Sequence, residues 1–232
     1  MGDGVILAID TATDWAGIAL YDEDEGVVRY EETWWARRRH TTTLMVRVDA
    51  AVRDQSLTPE HLTGITVALG PGSYTGLRVG LSVAKGLALA LDLPLVGVPT
   101  LDIVAYPYRT QPNPVCAVIQ AGRTRVCWAV YPPGTSAMSP YDGYHLDDVP
   151  TVARALSRLD AFIYIYGEIT PGASEVLREV LGSRVYIGSP AEGLRRPAFL
   201  AEMGWQRIRQ GDVDDPATLS PIYLRHPGSS GP

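Results

Sequence analysis

Cysteine is scarce in this chain. Cys116 and Cys127 are the only two, too few for a disulfide framework, and each lies in an apolar, strand-like run, so both are expected as reduced thiols of a core. Histidine is equally sparse. His40, His61, His145 and His226 are scattered without metal-ligand spacing, and neither a bound metal nor another cofactor is expected. No apolar run is long enough to span a membrane. The first such run lies between Asp3 and Asp10, too short for the hydrophobic region of a signal peptide, and the expectation is a cytoplasmic protein with no membrane contact. Positive charge does not prevail either. With a formal net charge of -6 the chain as a whole repels a phosphate backbone, so any tie to nucleic acid has to be shared with a partner.

Catalytic signatures are missing too. A Walker A loop needs Gly-Lys-Ser/Thr four residues after a first glycine, whereas the lysine nearest the glycine turn here, Lys85, falls inside the helix that follows. A nucleophile elbow needs glycines two residues either side of its serine. Around Ser73 those places hold Pro71 and Thr75, which makes Ser73 a helix cap rather than a nucleophile. No combination of nucleophile, base and metal supports a peptidase.

What the sequence does hold is centred on Gly70-Pro71-Gly72-Ser73-Tyr74-Thr75-Gly76-Leu77-Arg78. The apolar run Gly64 to Leu69 predicts a buried strand. Pro71 ends it, Gly72 is read as the positive-φ position of the turn, and Ser73 or Thr75 caps a helix running to Leu91. Only Arg78, Ser82 and Lys85 form a polar stripe on that helix. A helix on one sheet needs an apolar arc of about 100°, and this one has far more. Gly76, Gly80, Ala84 and Ala88 recur every fourth residue as a ridge along which a second backbone can approach. Two readings stand: the second wall is the chain's own, or it belongs to another protein. The free amides at the start of this helix also offer an anion a positive end.

In chain order, Val5 to Asp10, Trp15 to Tyr21 and Gly26 to Trp34 predict a three-stranded meander. The Asp10-Thr11-Ala12-Thr13 bend between the first two places a carboxylate and two hydroxyls where a phosphate or a magnesium-bound water would fit, although Asp and Thr are also ordinary turn formers. Arg37-Arg38-Arg39-His40 is the one cationic run, read either as a solvated stretch or as a grip for RNA or an acidic partner. A helix is expected from Thr41 to Asp54, with Leu44, Met45, Val48, Ala51 and Val52 on one face, and a further helix start at Thr58-Pro59-Glu60-His61. Tyr106 to Pro114 reads as a boundary. Beyond it come strands at Val115 to Gln120, Thr124 to Tyr131 and near Tyr141 to Leu146. Helices over 149–159, 172–181 and 197–210 then alternate with strands over 162–166 and 185–187. The fold class is α/β, in two successive halves of the same plan. A first lobe is expected over 1–105 and a smaller second lobe over 106–226, with the C-terminal helix returning toward the first and a frayed tail over 227–232.

Val5 to Ala19, the block Gly70 to Gly86, Leu93 to Val98 and Pro221-Ile222-Tyr223-Leu224-Arg225 together resemble the bacterial TsaB (YeaZ) family. The resemblance implies the two-lobed actin-like ATPase superfold shared by actin, sugar kinases and heat-shock ATPases, with duplicated mixed sheets and helices. It implies a non-catalytic dimerisation subunit in making threonylcarbamoyladenosine beside the tRNA anticodon. The implied partners are a TsaD-like catalytic subunit and a TsaE-like ATPase, with tRNA met only through the complex and a homodimer when the partner is missing. Pairing would use Leu44, Met45, Val48 and Val52 on one helix and Gly76, Gly80, Val83, Ala84 and Leu87 on the next. No catalytic residue is implied, and Asp10, Thr11, Gly72, Ser73 and Thr75 become a vestigial anion or nucleotide turn. Working nucleotide sites of the superfold add a second-lobe carboxylate and a double glycine. This chain carries Gln120 and a single glycine in Tyr166-Gly167-Glu168, which weakens ATP hydrolysis. The alternative is a free-standing ATPase or small-molecule kinase of the superfold, supported by the Asp10 bend and the glycine turn.

Overall fold

The computed structural model describes residues 4–37, 39–134 and 138–224. The tail expected to fray, Arg38 of the basic run, and Arg225 and His226 lie outside the described residues. Val5–Asp10 forms β1, buried at every position, because it is the middle strand of a five-stranded sheet. Its neighbours are β2 (Trp15–Asp22), antiparallel, and β4 (Leu62–Gly70), parallel. Beyond them lie β3 (Val27–Trp35) and β5 (Leu95–Pro99), giving the order β3-β2-β1-β4-β5. Two helices cross over between strands, α1 (His40–Asp54) and α2 (Tyr74–Leu91).

The second sheet repeats the first. β6 (Val115–Ala121) sits between antiparallel β7 (Arg125–Tyr131) and parallel β9 (Ile163–Gly167), with β8 (His145–Asp148) and β10 (Val185–Ile187) outside, in the order β10-β9-β6-β7-β8. Read from the middle strand outward, both orders are one topology used twice, the duplicated α/β design of the actin-like ATPase superfold. Helices α4 (Val149–Ser157) and α5 (Pro171–Leu181) supply Val152, Ala153, Leu156, Leu177 and Leu181 to a core with Val118, Trp128 and Ile165. Cys116 and Cys127 are free and buried and contribute to two different core clusters of this unit. Burial pushes the Cys127 thiol up to about 11 and Cys116 higher still.

The chain divides into two compact units, one holding the residues up to Thr100 together with Arg196–Ile222, the other Leu101–Arg195 and the described residues from Tyr223. The division falls upstream of the Tyr106 to Pro114 stretch. The reason lies in the short helix α3 (Thr100–Ala105), whose Leu101, Val104 and Ala105 join Val115, Ala117 and Tyr131 in the second unit's core. The last helix, α6 (Pro197–Arg209), packs across β1, β2, β4 and β5 of the first unit. Two expected elements change. Thr58 to His61 yields only one 3-10 turn at Pro59–His61, because β4 begins at Leu62 and leaves no room for a longer helix. The strand expected near Tyr141 to Leu146 runs over His145–Asp148, where a continuous ladder with β7 begins at the His145–Trp128 pair; upstream of it Tyr141 N reaches β7, donating to Val130 O at 2.8 Å.

Candidate functional site

The Gly70 to Arg78 block forms as a strand-to-helix turn, with one change of detail. The positive φ falls on Gly70, at 103°, and not on Gly72. Gly72 serves a close approach instead. Ser73 is the N-cap: its Oγ accepts from Gly76 N at 3.3 Å, which satisfies one of the orphan amides of the first turn. Thr75 is exposed in that turn. The Asp10 to Thr13 bend lies directly against this helix start. Ser73 N donates to Ala12 O at 2.6 Å, and Thr11 Oγ1 donates to Gly76 O at 2.8 Å. Asp10 is 3% exposed, and its Oδ1 accepts from Ala12 N at 2.8 Å.

That contact explains the recurrence of glycine. A side chain at Gly72 or Gly76 would bring its Cβ to 2.2 Å from Ala12 O or Thr11 O, and one at Gly80 to 2.2 Å from Thr11 Oγ1. Gly76, Gly80 and Ala84 are all buried. The ridge expected to meet a partner therefore faces the chain's own β1–β2 turn and sheet, and these three residues are corrected from contact residues to packing residues. The same holds on α1 for Leu44, Val48 and Val52, at 1%, 4% and 8% exposure, which belong to the first unit's core.

What faces outward is a different strip. On α1, Met45 and Val46 are 42% and 68% exposed. On α2, Val79, Val83 and Leu87 are half-buried against the core, while Gly86, Leu89 and Ala90 are exposed, Leu89 to 72%. Met45, Val83 and Leu87 thus remain available among the nine residues named from the sequence. Val46, Val79, Gly86 and Ala90 were missed there. The signal for the last three is a second stripe on α2, Val79-Val83-Gly86-Ala90, about a third of a turn away from the first; Val46, on α1, has no such signal. At Gly86 a side chain would meet no atom within 4 Å.

In the second unit the turn after β6 is closed by Gln120, whose Nε2 donates to Gly122 O at 2.8 Å. Gln120 N donates to Glu168 Oε2 at 3.3 Å, and Arg195 Nη1 donates to Glu168 Oε1 at 2.9 Å. Gln120, the position at which the family resemblance raised the expectation of a carboxylate, is thus spent on its own hairpin. Among the described residues no three His, Cys, Asp or Glu side chains gather as a metal would require, and no helix is long and apolar enough to cross a membrane.

Comparison with known proteins places this geometry. The family model for TsaD, tRNA N6-adenosine threonylcarbamoyltransferase, matches residues 33–158, a span that contains both α1 and α2. The tRNA threonylcarbamoyladenosine biosynthesis protein TsaB of Bacillus subtilis is 31% identical over 223 residues, covering 95% of this chain and 93% of that protein. TsaB of Escherichia coli is 34% identical over 128 residues, 54% of each chain. The solved structure of YeaZ from Pseudomonas aeruginosa matches with a TM-score of 0.76 at 24% identity, over 95% of this chain and 100% of that one, which is a likeness of fold. The 31% identity with the Bacillus protein over nearly the full length of both chains, together with the shared fold, establishes that this chain belongs to the TsaB (YeaZ) family.

Proposed function

We propose that this chain is a non-catalytic subunit of the machinery that makes threonylcarbamoyladenosine beside the tRNA anticodon in the cytoplasm. It pairs through α1 and α2 with a TsaD-like catalytic subunit, a TsaE-like ATPase joins the pair, and tRNA is met only through the complex. The observation that carries this reading is Gly86 and the strip around it. A glycine in the middle of an exposed helix costs about 1 kcal/mol relative to alanine, and here nothing within the chain stands within 4 Å to require it. Flanked by Val79, Val83, Leu87 and Ala90, it leaves an apolar surface over which a second helix can pass at close range, as small residues permit. The match of a TsaD family model across the same two helices supports a partner built on the same plan. In the partner's absence the same strip would pair with a second copy of the chain.

Gly86→Glu tests this directly. The new side chain points into open space and suits a helix, so the variant should melt like the parent. It should lose co-purification with a TsaD-like subunit, and the reconstituted system should lose tRNA modification with it. Wild-type pairing by a folded Gly86→Glu chain would refute the interface. Turnover of Mg-ATP by the chain alone would favour the free-standing kinase or ATPase instead.

A further inference from the structure

One four-residue bend is tied to both helices of the proposed interface. Toward α2, Thr11 Oγ1 donates to Gly76 O at 2.8 Å and Ala12 O accepts from Ser73 N at 2.6 Å. Toward α1, the ring Nε2 of His40, the first residue of that helix, meets Thr13 O at 2.8 Å. A carbonyl only accepts, so Nε2 carries the proton. Thr11, Thr13 and His40 are 1%, 6% and 4% exposed, where a broken hydrogen bond has no water to replace it. The absent side chains at Gly76 and Gly80 are what let the bend sit this close, since a Cβ at either would stand 2.2 Å from an oxygen of Thr11.

We propose that the Asp10 to Thr13 bend is a clasp. It sets the position of the start of α1 against the start of α2, and so shapes the surface offered to the TsaD-like subunit. The bend carries the carboxylate and hydroxyls that the sequence offers to a phosphate, yet Ala12 O occupies the amide of the N-cap residue and Thr11 is committed to a helix carbonyl. Thr11, Thr13 and His40 are accordingly positioning residues. They touch no partner and act through the register of the two helices. This inference rests on the α1/α2 interface reading.

The test uses the full chain and a TsaD-like subunit, with affinity measured by titration calorimetry and folding by thermal melting. Thr11→Val keeps the shape and removes the donor, while Gly76 O keeps its place within the helix. His40→Leu removes the link to α1. Each variant should melt cooperatively within several degrees of the parent and bind the partner about tenfold or more weakly, the effect of about 1.4 kcal/mol. Thr11→Ser and His40→Gln, which retain a donor, should bind within about threefold of the parent. Should Thr11→Val fail to fold, the His40→Leu and His40→Gln pair carries the comparison. Parental affinity in folded Thr11→Val and His40→Leu chains would overturn the clasp, and so would equal weakening by the donor-retaining variants. Gly86→Glu, measured alongside, separates the two readings. If it abolishes binding while the clasp variants bind normally, the clasp alone fails, and if it binds normally, the interface fails and takes the clasp with it.

Discussion

At the scale of single residues the least expected group is Asp102, in the first turn of α3. Its carboxylate is 5% exposed, and Oδ1 accepts both Tyr131 Oη at 2.6 Å and Tyr144 Oη at 2.9 Å. Burial dominates and lifts its pKa from the usual 3.8 to about 6, with the two phenols pulling back the other way. A carboxyl with a raised folded-state pKa stabilises the fold fully only below its unfolded value. That contribution is lost as pH rises from about 4 through about 6, and is worth up to about 3 kcal/mol. Asp102→Asn keeps an acceptor for both phenols and cannot ionise. Between pH 4 and pH 7 the stability of Asp102→Asn relative to the parent should therefore rise by up to about 3 kcal/mol, read as denaturation midpoints across that range. A difference constant with pH would contradict it. Asp22 runs the opposite way. Burial works against its charge, but the amides of Glu25 and Asp24 and the Arg29 guanidinium outweigh burial and hold its carboxyl low. Its contribution is lost as pH falls, and both proteins share it.

At the scale of elements, α2 shows how far periodicity carries. The excess of apolar residues around the helix is legible in the sequence, and so is the Ser73 cap. The direction in which the helix faces is not. Two small-residue stripes were present, Gly76-Gly80-Ala84-Ala88 and Val79-Val83-Gly86-Ala90. The more regular one turned inward because it has to pass the β1–β2 bend at backbone distance. This orientation makes opposite predictions for alanine at two glycines of one helix. Gly86→Ala enters open space and should raise the stability of the isolated chain by about 0.5–1 kcal/mol. Gly80→Ala collides with Thr11 and should lower it by about 1–3 kcal/mol, the range for overpacking. Chemical denaturation of both variants checks the pair, and a stabilised Gly80→Ala would contradict the inward orientation of Gly80.

At the scale of the whole molecule the two units follow one topology but are finished differently. In the first, α1 and α2 cover one face of the sheet, and α6, arriving from the end of the chain, packs across β1, β2, β4 and β5 with Ala198, Leu200 and Ala201 buried. Arg207 in the last turn of α6 and Asp214 just past it close the β5 edge of that sheet: Arg207 Nη1 donates to Gly97 O at 2.8 Å, and Gly97 N donates to Asp214 Oδ2 at 2.8 Å. The first unit is thus made from two distant stretches of chain, and its stability depends on both. A chain ending at Arg195 should lose cooperative melting of the first unit, seen as loss of protection of β1 and β4 amides in hydrogen exchange. Unchanged protection there would mean that α6 is dispensable.

By itself the sequence determined the strands, whose apolar runs have to be buried whichever way the sheets are ordered. It also determined the Ser73 cap, the duplicated α/β plan, and the family, through a glycine block specific enough to name it. The shift of β8 to His145 and the shortening of the Pro59 turn were invisible because pairing partners, not propensity, set where a strand begins. The outward face of α2 and the coupling of Thr11 and His40 to the two helices were decided only in three dimensions. A hydrophobic pattern fixes the angle between two faces of a helix, but which face looks outward depends on what lies opposite, and here that is a bend more than sixty residues away in the chain.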